Sequence, residues 1–414
     1  MFEIFKFEIY KIIKSKLFVI SMFIVFATIF VLIAGSLSSV SSYDNNGNAI
    51  NGYSAIEYEK KFVEKNSGKI TPQKIAEVID TYNLIANNSE NLNEYNTIKD
   101  SVYISELYQY RKIISLIAAV YTSPGLQPDY NVIKELSYND GLNFYNLRNE
   151  QIQAALDMDY SYGNYSAEEK TAIIKYNENV TEPFDFTYAL GWENLLTYAF
   201  PFYVILTFIA CVNISSVFSN EFQNGTVDVI LSSKHGRNKV FYAKIISALL
   251  LSTIVFAMFT VAFCFVFLAV YGSEGSSVSI QTLSLLSVYD LTLGETFAAI
   301  VGISYVTFIF VIFFTLTISA ICKNNFTSVL LSLALFFIPM FFNYSKSSKL
   351  FNYTVDLFPI KALNVFEMFK QYKLYGFAGV YIRQPYFMII LMLILSAISF
   401  VATKSIYSRC KVSS

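Results

Sequence analysis

The chain has 414 residues, of which 54% are hydrophobic and 15% are charged, against about 25% charged in ordinary globular proteins. This composition excludes a purely soluble protein, and it is too apolar for a disordered chain. The net charge of −1 gives no support for a nucleic-acid partner, although it averages two regions of opposite sign. The lipid bilayer is therefore the expected solvent of much of the chain.

The first 16 residues have the pattern of an amphipathic helix that lies on the inner leaflet of a membrane. Apolar residues recur at helical spacing from Phe2 to Ile13, and lysines occupy other faces. The alternative is that these residues are only the irregular start of the first span. The apolar run that follows is too long for a cleaved signal peptide, so we predict an uncleaved anchor with a cytoplasmic N-terminus.

Six runs without Asp, Glu, Lys or Arg are long enough to cross a bilayer, which takes about 20 residues. They predict an all-α membrane protein with six transmembrane helices, at residues 17–36, 194–219, 245–272, 296–321, 326–343 and 385–403. The fifth run is short and contains Pro339, so a kinked or partly re-entrant helix is the alternative there.

With a cytoplasmic N-terminus, the connections between spans alternate between the two sides of the cell membrane. Those predicted inside are residues 220–244, the turn 322–325 and the tail 404–414. Those predicted outside are residues 37–193, 273–295 and 344–384. The inside connections are basic, as the positive-inside rule requires. Residues 346–383 conflict with the rule, because this predicted external segment has six Lys and Arg and two acidic residues.

Residues 37–193 form a polar insert that is large enough for a small domain. Counted to residue 195, this region has 22 acidic and 12 basic residues, so the remainder of the chain is basic. Thr71 before Pro72, and Ser166 three residues before Glu169, are signals of helix starts. We therefore predict a mostly helical external insert. It has no cysteine, which excludes a disulfide framework there.

Several kinds of chemistry are absent from the sequence. The single histidine, His235, argues against a Ser-His-Asp arrangement and against a zinc hydrolase, so we expect no catalytic residue and no bound metal. We find no G-x-x-x-x-G-K-[ST] phosphate-binding loop, and the middles of the spans lack carboxylates. Energy for transport would therefore come from a partner. The single tryptophan, Trp192, is predicted to anchor the chain at the membrane interface, with ligand stacking as the alternative.

The most specific segment is residues 217–245, VFSNEFQNGTVDVILSSKHGRNKVFYAKI. It predicts a short amphipathic helix interrupted by a glycine, and a solvated loop is the alternative. The segment resembles the loop after span two in permease subunits of type-2 ATP-binding-cassette exporters, the six-span type V class. The predicted coupling residues are Phe218, Glu221, Phe222, Gly225, Thr226, Leu231, Ser232, Ser233, Arg237 and Lys244. Many family members have proline after the serine turn, where this chain has Lys234, His235 and Gly236.

The resemblance implies that this loop is a coupling helix that binds in a groove of a separate ATPase subunit. It also implies two permease subunits, identical or different, with two ATPase subunits that hold ATP and Mg²⁺. The chain itself would be no enzyme, and it would move an amphiphilic substrate, such as an antimicrobial peptide or drug, outward. The alternatives are a sodium-exporting permease and a non-transporting receptor or immunity protein that captures peptides with its external insert.

Overall fold

The computed structural model describes residues 2–44, 46–233, 236–377 and 379–409. Within these residues, five helices are long and apolar enough to cross a membrane: Lys16–Ser39, Leu190–Gln223, Gly236–Tyr271, Leu293–Ile321 and Gln384–Arg409. A further apolar helical segment, Asn325–Phe341, is shorter. The prediction of a helical membrane protein is therefore confirmed. The six charge-free runs overlap these five long helices and the one short segment.

The N-terminal amphipathic segment is a helix of its own. Helix α1 (Phe2–Ile13) ends before α2 (Lys16–Ser39) begins. The hydroxyl of Ser15 accepts a hydrogen bond from the Phe18 amide at 3.1 Å, which is the geometry of an N-cap. The alternative that residues 1–16 are only the irregular start of the first span is therefore wrong.

The insert is built from short helices and two small sheets. Its elements are β1 (Ser41–Tyr43), β2 (Ala49–Asn51), α3 (Tyr53–Glu64), β3 (Gly68–Lys69), α4 (Pro72–Ala86), α5 (Asp100–Val102), α6 (Arg111–Tyr121), α7 (Tyr138–Leu142), α8 (Phe144–Asp157), α9 (Ala167–Asn177) and β4 (Asp185–Phe186). Strands β1 and β2 form an antiparallel hairpin with Ser42 opposite Ile50. Strand β3 pairs antiparallel with the distant β4, Gly68 opposite Phe186, so the segment after α3 meets the C-terminal end of the insert.

Both helix starts that the insert sequence predicts are present. Thr71 accepts a hydrogen bond from the Lys74 amide at 3.2 Å, at the start of α4. Ser166 and Glu169 form a reciprocal capping box at the start of α9. Local side-chain chemistry therefore determines where these helices begin.

The remainder of the chain contains the long helices and a second group of short elements. These are α10 (Leu190–Ile214), α11 (Ser216–Gln223), α12 (Val227–Ser232), α13 (Phe241–Tyr271), α14 (Leu293–Ile321), α15 (Asn325–Phe337), α16 (Lys349–Asp356), α17 (Pro359–Ala362), α18 (Val365–Met368), β5 (Leu374–Phe377), β6 (Val380–Arg383) and α19 (Gln384–Arg409). Strands β5 and β6 form an antiparallel hairpin with Tyr375 opposite Ile382. Helix α15 continues as a 3-10 turn to Phe341.

The long helices extend beyond the charge-free runs at several of their ends. Helix α10 starts before the predicted residue 194 and includes Glu193, whose carboxylate pairs with Lys112 of the insert at 2.5 Å. Helix α13 likewise starts before the predicted residue 245 and includes Lys244. Because a paired charge can remain in a helix, the absence of charge marks the apolar part of each helix rather than its full length.

Helix α14 lies between α10 and α19 in the bundle. Aromatic rings fill the neighbouring interface of α10 with α13. Phe202 stacks on Phe263 with ring centroids 4.2 Å apart, and Tyr203 stacks on Phe256 at 5.3 Å. Close packing of this kind is the main source of helix association in lipid, where burial of apolar surface gives little driving force.

The segment from residue 344 to residue 384 packs against the insert. The ammonium of Lys349 at the start of α16 lies 2.7 Å from the Glu169 carboxylate of α9. The hydroxyl of Tyr176 donates to the Tyr381 carbonyl at 3.4 Å. This basic segment therefore lies at the same end of the bundle as the acidic insert, where its lysines meet carboxylates.

Helix α15 begins at the opposite end of the bundle, beside α11. The backbone amide of Asn325 donates to the Gln223 side chain at 3.0 Å, and its side-chain amide donates to Asn220 at 3.0 Å. The chain beyond α15 leads to Tyr344, whose hydroxyl donates to Asp356 of α16 at 2.5 Å. Helix α15 therefore joins the α11 end of the bundle to the insert end.

Candidate functional site

The segment singled out by the sequence forms α11, α12 and a π-helical turn, Gly236–Val240. Lys234 and His235 lie outside the described residues. Gly225 joins α11 to α12 with φ of +66°, a left-handed conformation that favours glycine. The Thr226 amide then donates to the Glu221 carbonyl at 3.0 Å. The predicted interruption of the helix is therefore a tight turn between two short helices.

A buried cluster of charges lies beneath this segment. The ammonium of Lys244 is 2.5 Å from Oε1 of Glu221 and 3.0 Å from Oε1 of Glu8, and it donates to the Val217 carbonyl at 3.3 Å. The Lys244 side chain is 0% exposed, and Glu221 and Glu8 are 4% and 6% exposed. One ammonium therefore joins three helices, because these residues belong to α13, α11 and α1.

A second lysine balances the charge of the cluster. Lys11 of α1 lies 3.7 Å from Oε1 of Glu221, so two carboxylates face two ammonium groups. Oε2 of Glu221 has no hydrogen-bond partner within the described residues. Removing one member of a buried ion pair costs about 3–5 kcal/mol, because the remaining charge is left without a partner. The cluster therefore makes α1 a structural part of this site.

Helix α11 is also attached to α14. The backbone amides of Phe218 and Ser219 both donate to the hydroxyl of Ser319, at 3.0 and 3.1 Å. The Phe218 ring is fully buried and lies 5.2 Å from the Tyr407 ring and 6.1 Å from the Phe241 ring. Helix α11 is therefore connected to α13, α14 and α19 at once.

Helix α12 has one face toward the bundle and one face away from it. Val227 and Leu231, four residues apart, are buried. Val229, on the other face, is 73% exposed, and the neighbouring Gly225 and Ser232 are also exposed. An exposed branched apolar side chain at this position is available for contact with another protein.

The C-terminal end of α19 contacts the same segment. The guanidinium of Arg237 donates to the Ser408 carbonyl at 2.5 Å, and Lys404 donates to the hydroxyl of Tyr242 at 2.6 Å. A cation near the last carbonyls of a helix is favourable, because those groups carry partial negative charge. These contacts connect the turn after α12 to the last helix of the bundle.

The structure divides the ten predicted coupling residues into three groups. Four are buried and attach the segment to the bundle, namely Phe218, Glu221, Leu231 and Lys244. Four are exposed, namely Gly225, Thr226, Ser232 and Ser233. Phe222 and Arg237 are half-buried.

Sequence reasoning missed two residues of this site, Glu8 and Lys11. For Glu8 a signal existed, because it is three residues after Phe5 and four before Ile12, on the apolar face of α1. A carboxylate on such a face needs a buried partner. For Lys11 the sequence alone gives no comparable signal.

Trp192 lies within α10, near the insert end of the bundle. Its indole N–H donates to the Ser273 carbonyl at 3.0 Å, and its ring packs edge-on against Phe297 at 6.1 Å. Membrane anchoring by Trp192 stays a prediction. Among the described residues, no group of three or more His, Cys, Asp or Glu side chains could hold a metal ion.

The fold and the site define a multi-pass membrane protein in which a short helical segment at one end of the bundle is attached by buried charges. A model of the family described as ABC-2 family transporter protein matches residues 2–403. The chain therefore belongs to this family, and it is the membrane subunit of an ABC transporter, a class that is generally non-catalytic and works with an ATPase partner. No curated protein and no solved structure matches the chain.

Proposed function

We propose that this chain is the permease subunit of an exporter, and that α12 is the element that binds the partner ATPase. The observation that carries the proposal is the exposure of Val229 on a helix whose opposite face is buried. Apolar side chains at the centre of an interface contribute much of its stability, while polar residues such as the adjacent Ser232 form its rim. Hydrolysis of ATP would take place in the partner.

Movement of α12 would be transmitted through the residues beneath it. Helix α11 precedes α12 and is joined to α13 by the ion pair of Glu221 with Lys244, and to α14 by hydrogen bonds to Ser319. A displacement of α12 would therefore act on two long helices and, through Glu8, on α1. The ATPase must bind α12 unequally in its nucleotide states, since otherwise no energy is transferred.

The complete transporter would contain two permease subunits, identical or different, and two ATPase subunits with ATP and Mg²⁺. Most of the outward surface of α2, including Phe23, Phe30 and Val31, is apolar and exposed, which suits contact with lipid. The long helices bury Ser, Thr and aromatic side chains and, apart from Lys244 and Glu221 near one end, no charged ones within their described residues. A substrate path between these helices would be lined by uncharged side chains, which favours an amphiphilic substrate over a bare ion.

The proposal includes six spans in the cell membrane, with both termini in the cytoplasm. Contacts between the insert and α16 support the same side of the membrane for these two regions. The number of crossings between them must then be even, and α10, α13 and α14 supply three. Helix α15 and its 3-10 turn would be the fourth, over 17 residues. At 1.5 Å per residue they cover about 25 Å, slightly less than a typical hydrocarbon core.

This topology predicts the labelling of single cysteines by an impermeant thiol reagent in intact cells. Ser277→Cys and Ser347→Cys, at exposed positions before α14 and before α16, should react from outside. Asn238→Cys, exposed beside α12, should react only after the membrane is permeabilised. The native Cys264 and Cys410 are replaced by serine beforehand. Protection of Ser347→Cys in a correctly inserted protein would show that α15 does not cross the membrane.

Binding of the ATPase by α12 is tested with Val229→Asp. A buried charge without a partner at the centre of an interface should lower the amount of co-purified ATPase by about tenfold or more. Co-purification from membranes, with permease abundance measured in parallel, provides the readout. Basal folding should not change, because Val229 is exposed.

The matched control is Leu84→Asp, since Leu84 of α4 is 78% exposed and belongs to the insert. This change should leave co-purification at the level of the unmodified protein. Equal co-purification by the Val229→Asp protein would refute docking through α12.

A further inference from the structure

A basic cavity of about 490 Å³ lies between the insert and the segment before and after α16. Its wall contains four lysines, Lys346, Lys349, Lys370 and Lys373, and no Asp or Glu among the described lining residues. Tyr162 and Tyr165 of the insert form part of the same wall. The wall of the cavity therefore presents basic side chains, although the insert as a whole is acidic.

The four lysines differ in how their charge is balanced. Lys349 and Lys373 pair with carboxylates that are 11% and 5% exposed, those of Glu169 and Asp356. Lys370 pairs at 3.2 Å with the half-exposed Glu367, a pair that water screens. Within the described residues, Lys346 has no ion pair. At least two ammonium groups can therefore bind an anion without breaking a buried pair.

Aromatic rings hold some of these lysines in position. The ammonium of Lys349 lies 5.1 Å from the centroid of Tyr165 and 5.5 Å from that of Tyr353. The ammonium of Lys373 lies 5.0 Å from the centroid of Tyr344. Such contacts reduce the freedom of long side chains before a ligand arrives, which lowers the entropic cost of binding.

An apolar groove of about 400 Å³ lies at the other end of α16. Its lining comes from α14, α15, α19 and the residues after α16, including Phe314, Leu335, Leu357, Phe358 and Leu395. Helix α16 links the two sites, because residues 349, 352 and 353 line the cavity and residues 354 and 357 line the groove. Eight residues of helix span about 12 Å, which is less than the length of one lipid.

We propose that the cavity binds the phosphate of an anionic amphiphile whose acyl chain lies in the groove. Lysine ammonium groups are strong donors to phosphate oxygens, and tyrosine rings with polar tips suit the boundary between lipid and water. The groove opens among helices that a bilayer surrounds, so a lipid can reach it sideways. The site goes beyond the proposed function, and its occupation does not require the ATPase.

The test measures binding to the purified permease in detergent, without the ATPase. The probes are dioctanoyl phosphatidylglycerol, the zwitterionic dioctanoyl phosphatidylcholine and inorganic phosphate. We expect the anionic lipid to bind at least about tenfold more tightly than the zwitterionic lipid, and inorganic phosphate to compete weakly. Equal affinity for the two lipids would overturn the proposal. If inorganic phosphate binds as tightly as the anionic lipid, the acyl chain adds no affinity, and the proposal that the ligand is an amphiphile is wrong.

Two variants assign the binding to the two halves of the site. The double variant Lys346→Glu/Lys370→Glu should lower the affinity for the anionic lipid at least about tenfold. The control Lys61→Glu, which changes an exposed lysine of α3, should leave this affinity unchanged. Thr354→Trp, which fills the groove from an exposed position, should weaken the lipid and leave inorganic phosphate unchanged. Unaltered lipid affinity in the double variant would refute the basic cavity as the phosphate site. Unaltered lipid affinity in the Thr354→Trp protein would refute the groove as the site of the acyl chain.

Discussion

Lys244→Met should lower the stability of the purified protein by about 3–5 kcal/mol, because two buried carboxylates lose their shared ammonium. Glu8 and Glu221 would then face each other without a counter-charge except the partly exposed Lys11. Helix α1 should detach more readily from α13, since its buried ion pair there is lost and the hydrogen bond of the Ser247 hydroxyl to the Phe5 carbonyl remains. The expected readouts are a lower thermal midpoint in detergent and faster trypsin cleavage after Lys14, between α1 and α2.

Two further proteins test whether the buried charges cause this effect. Lys6→Met, on an exposed face of α1, should change stability by less than about 1 kcal/mol. The triple variant Glu8→Gln/Glu221→Gln/Lys244→Met removes Lys244 and both carboxylates that it pairs with, and should recover at least half of the loss. If Lys244→Met behaves like Lys6→Met, the ion cluster does not stabilise the site.

Arg148→Met should loosen the insert from the bundle, also at a cost of about 3–5 kcal/mol. Arg148 of α8 is fully buried, and its guanidinium donates to the carbonyls of Leu285 and Ser287 at 2.8 Å each. It also donates to Asn177 at 2.9 Å and pairs with Glu182 at 3.4 Å. One side chain therefore connects the insert to the connection between α13 and α14.

Burial lowers the pKa of Arg148, and burial also raises the pKa of Glu182, although each charge opposes the shift of the other. Both shifts have the sign of desolvation, so the pair depends on its hydrogen bonds rather than on solvent. Replacing only the arginine leaves the Glu182 carboxylate without its ion pair and removes the donor to the Leu285 carbonyl, whereas the Ser287 carbonyl keeps the Gln281 amide at 3.2 Å. This is why the expected loss exceeds that of an exposed ion pair.

The single tryptophan reports on this contact directly. Trp192 donates to the Ser273 carbonyl, at the start of the connection that Arg148 holds. In Arg148→Met the thermal transition followed by its fluorescence should shift to lower temperature. Lys170→Met, which breaks the exposed pair with Asp157, should shift it little. Identical transitions in the two variants would show that Arg148 does not hold the insert.

Features that depend on neighbouring residues in the sequence were predictable. Apolar runs identify the membrane helices because the bilayer excludes charge over about 20 residues. The start of α4 after Thr71 and the start of α9 after Ser166 follow from caps that involve only three or four consecutive residues. The turn at Gly225 belongs to the same group, because it needs a backbone conformation that glycine adopts easily.

Features that depend on partners far away in the chain were not predictable in this way. Glu8 and Lys244 are separated by 236 residues, so their charges are evident from the sequence but their pairing is not. Lys349 and Glu169 are 180 residues apart. Their pairing explains why a basic segment can lie beside the insert, where the positive-inside rule alone opposed it.

The sequence by itself therefore determined that the chain is a helical membrane protein with helices in its insert and a turn at Gly225, because hydropathy, capping and glycine act locally. Only the tertiary structure decided which residues around that turn are exposed and which are buried. Glu221 and Leu231 lie within one short segment, and both are buried, whereas Val229 between them is exposed. The reason is that burial depends on the helices packed against each face, and these come from distant parts of the chain.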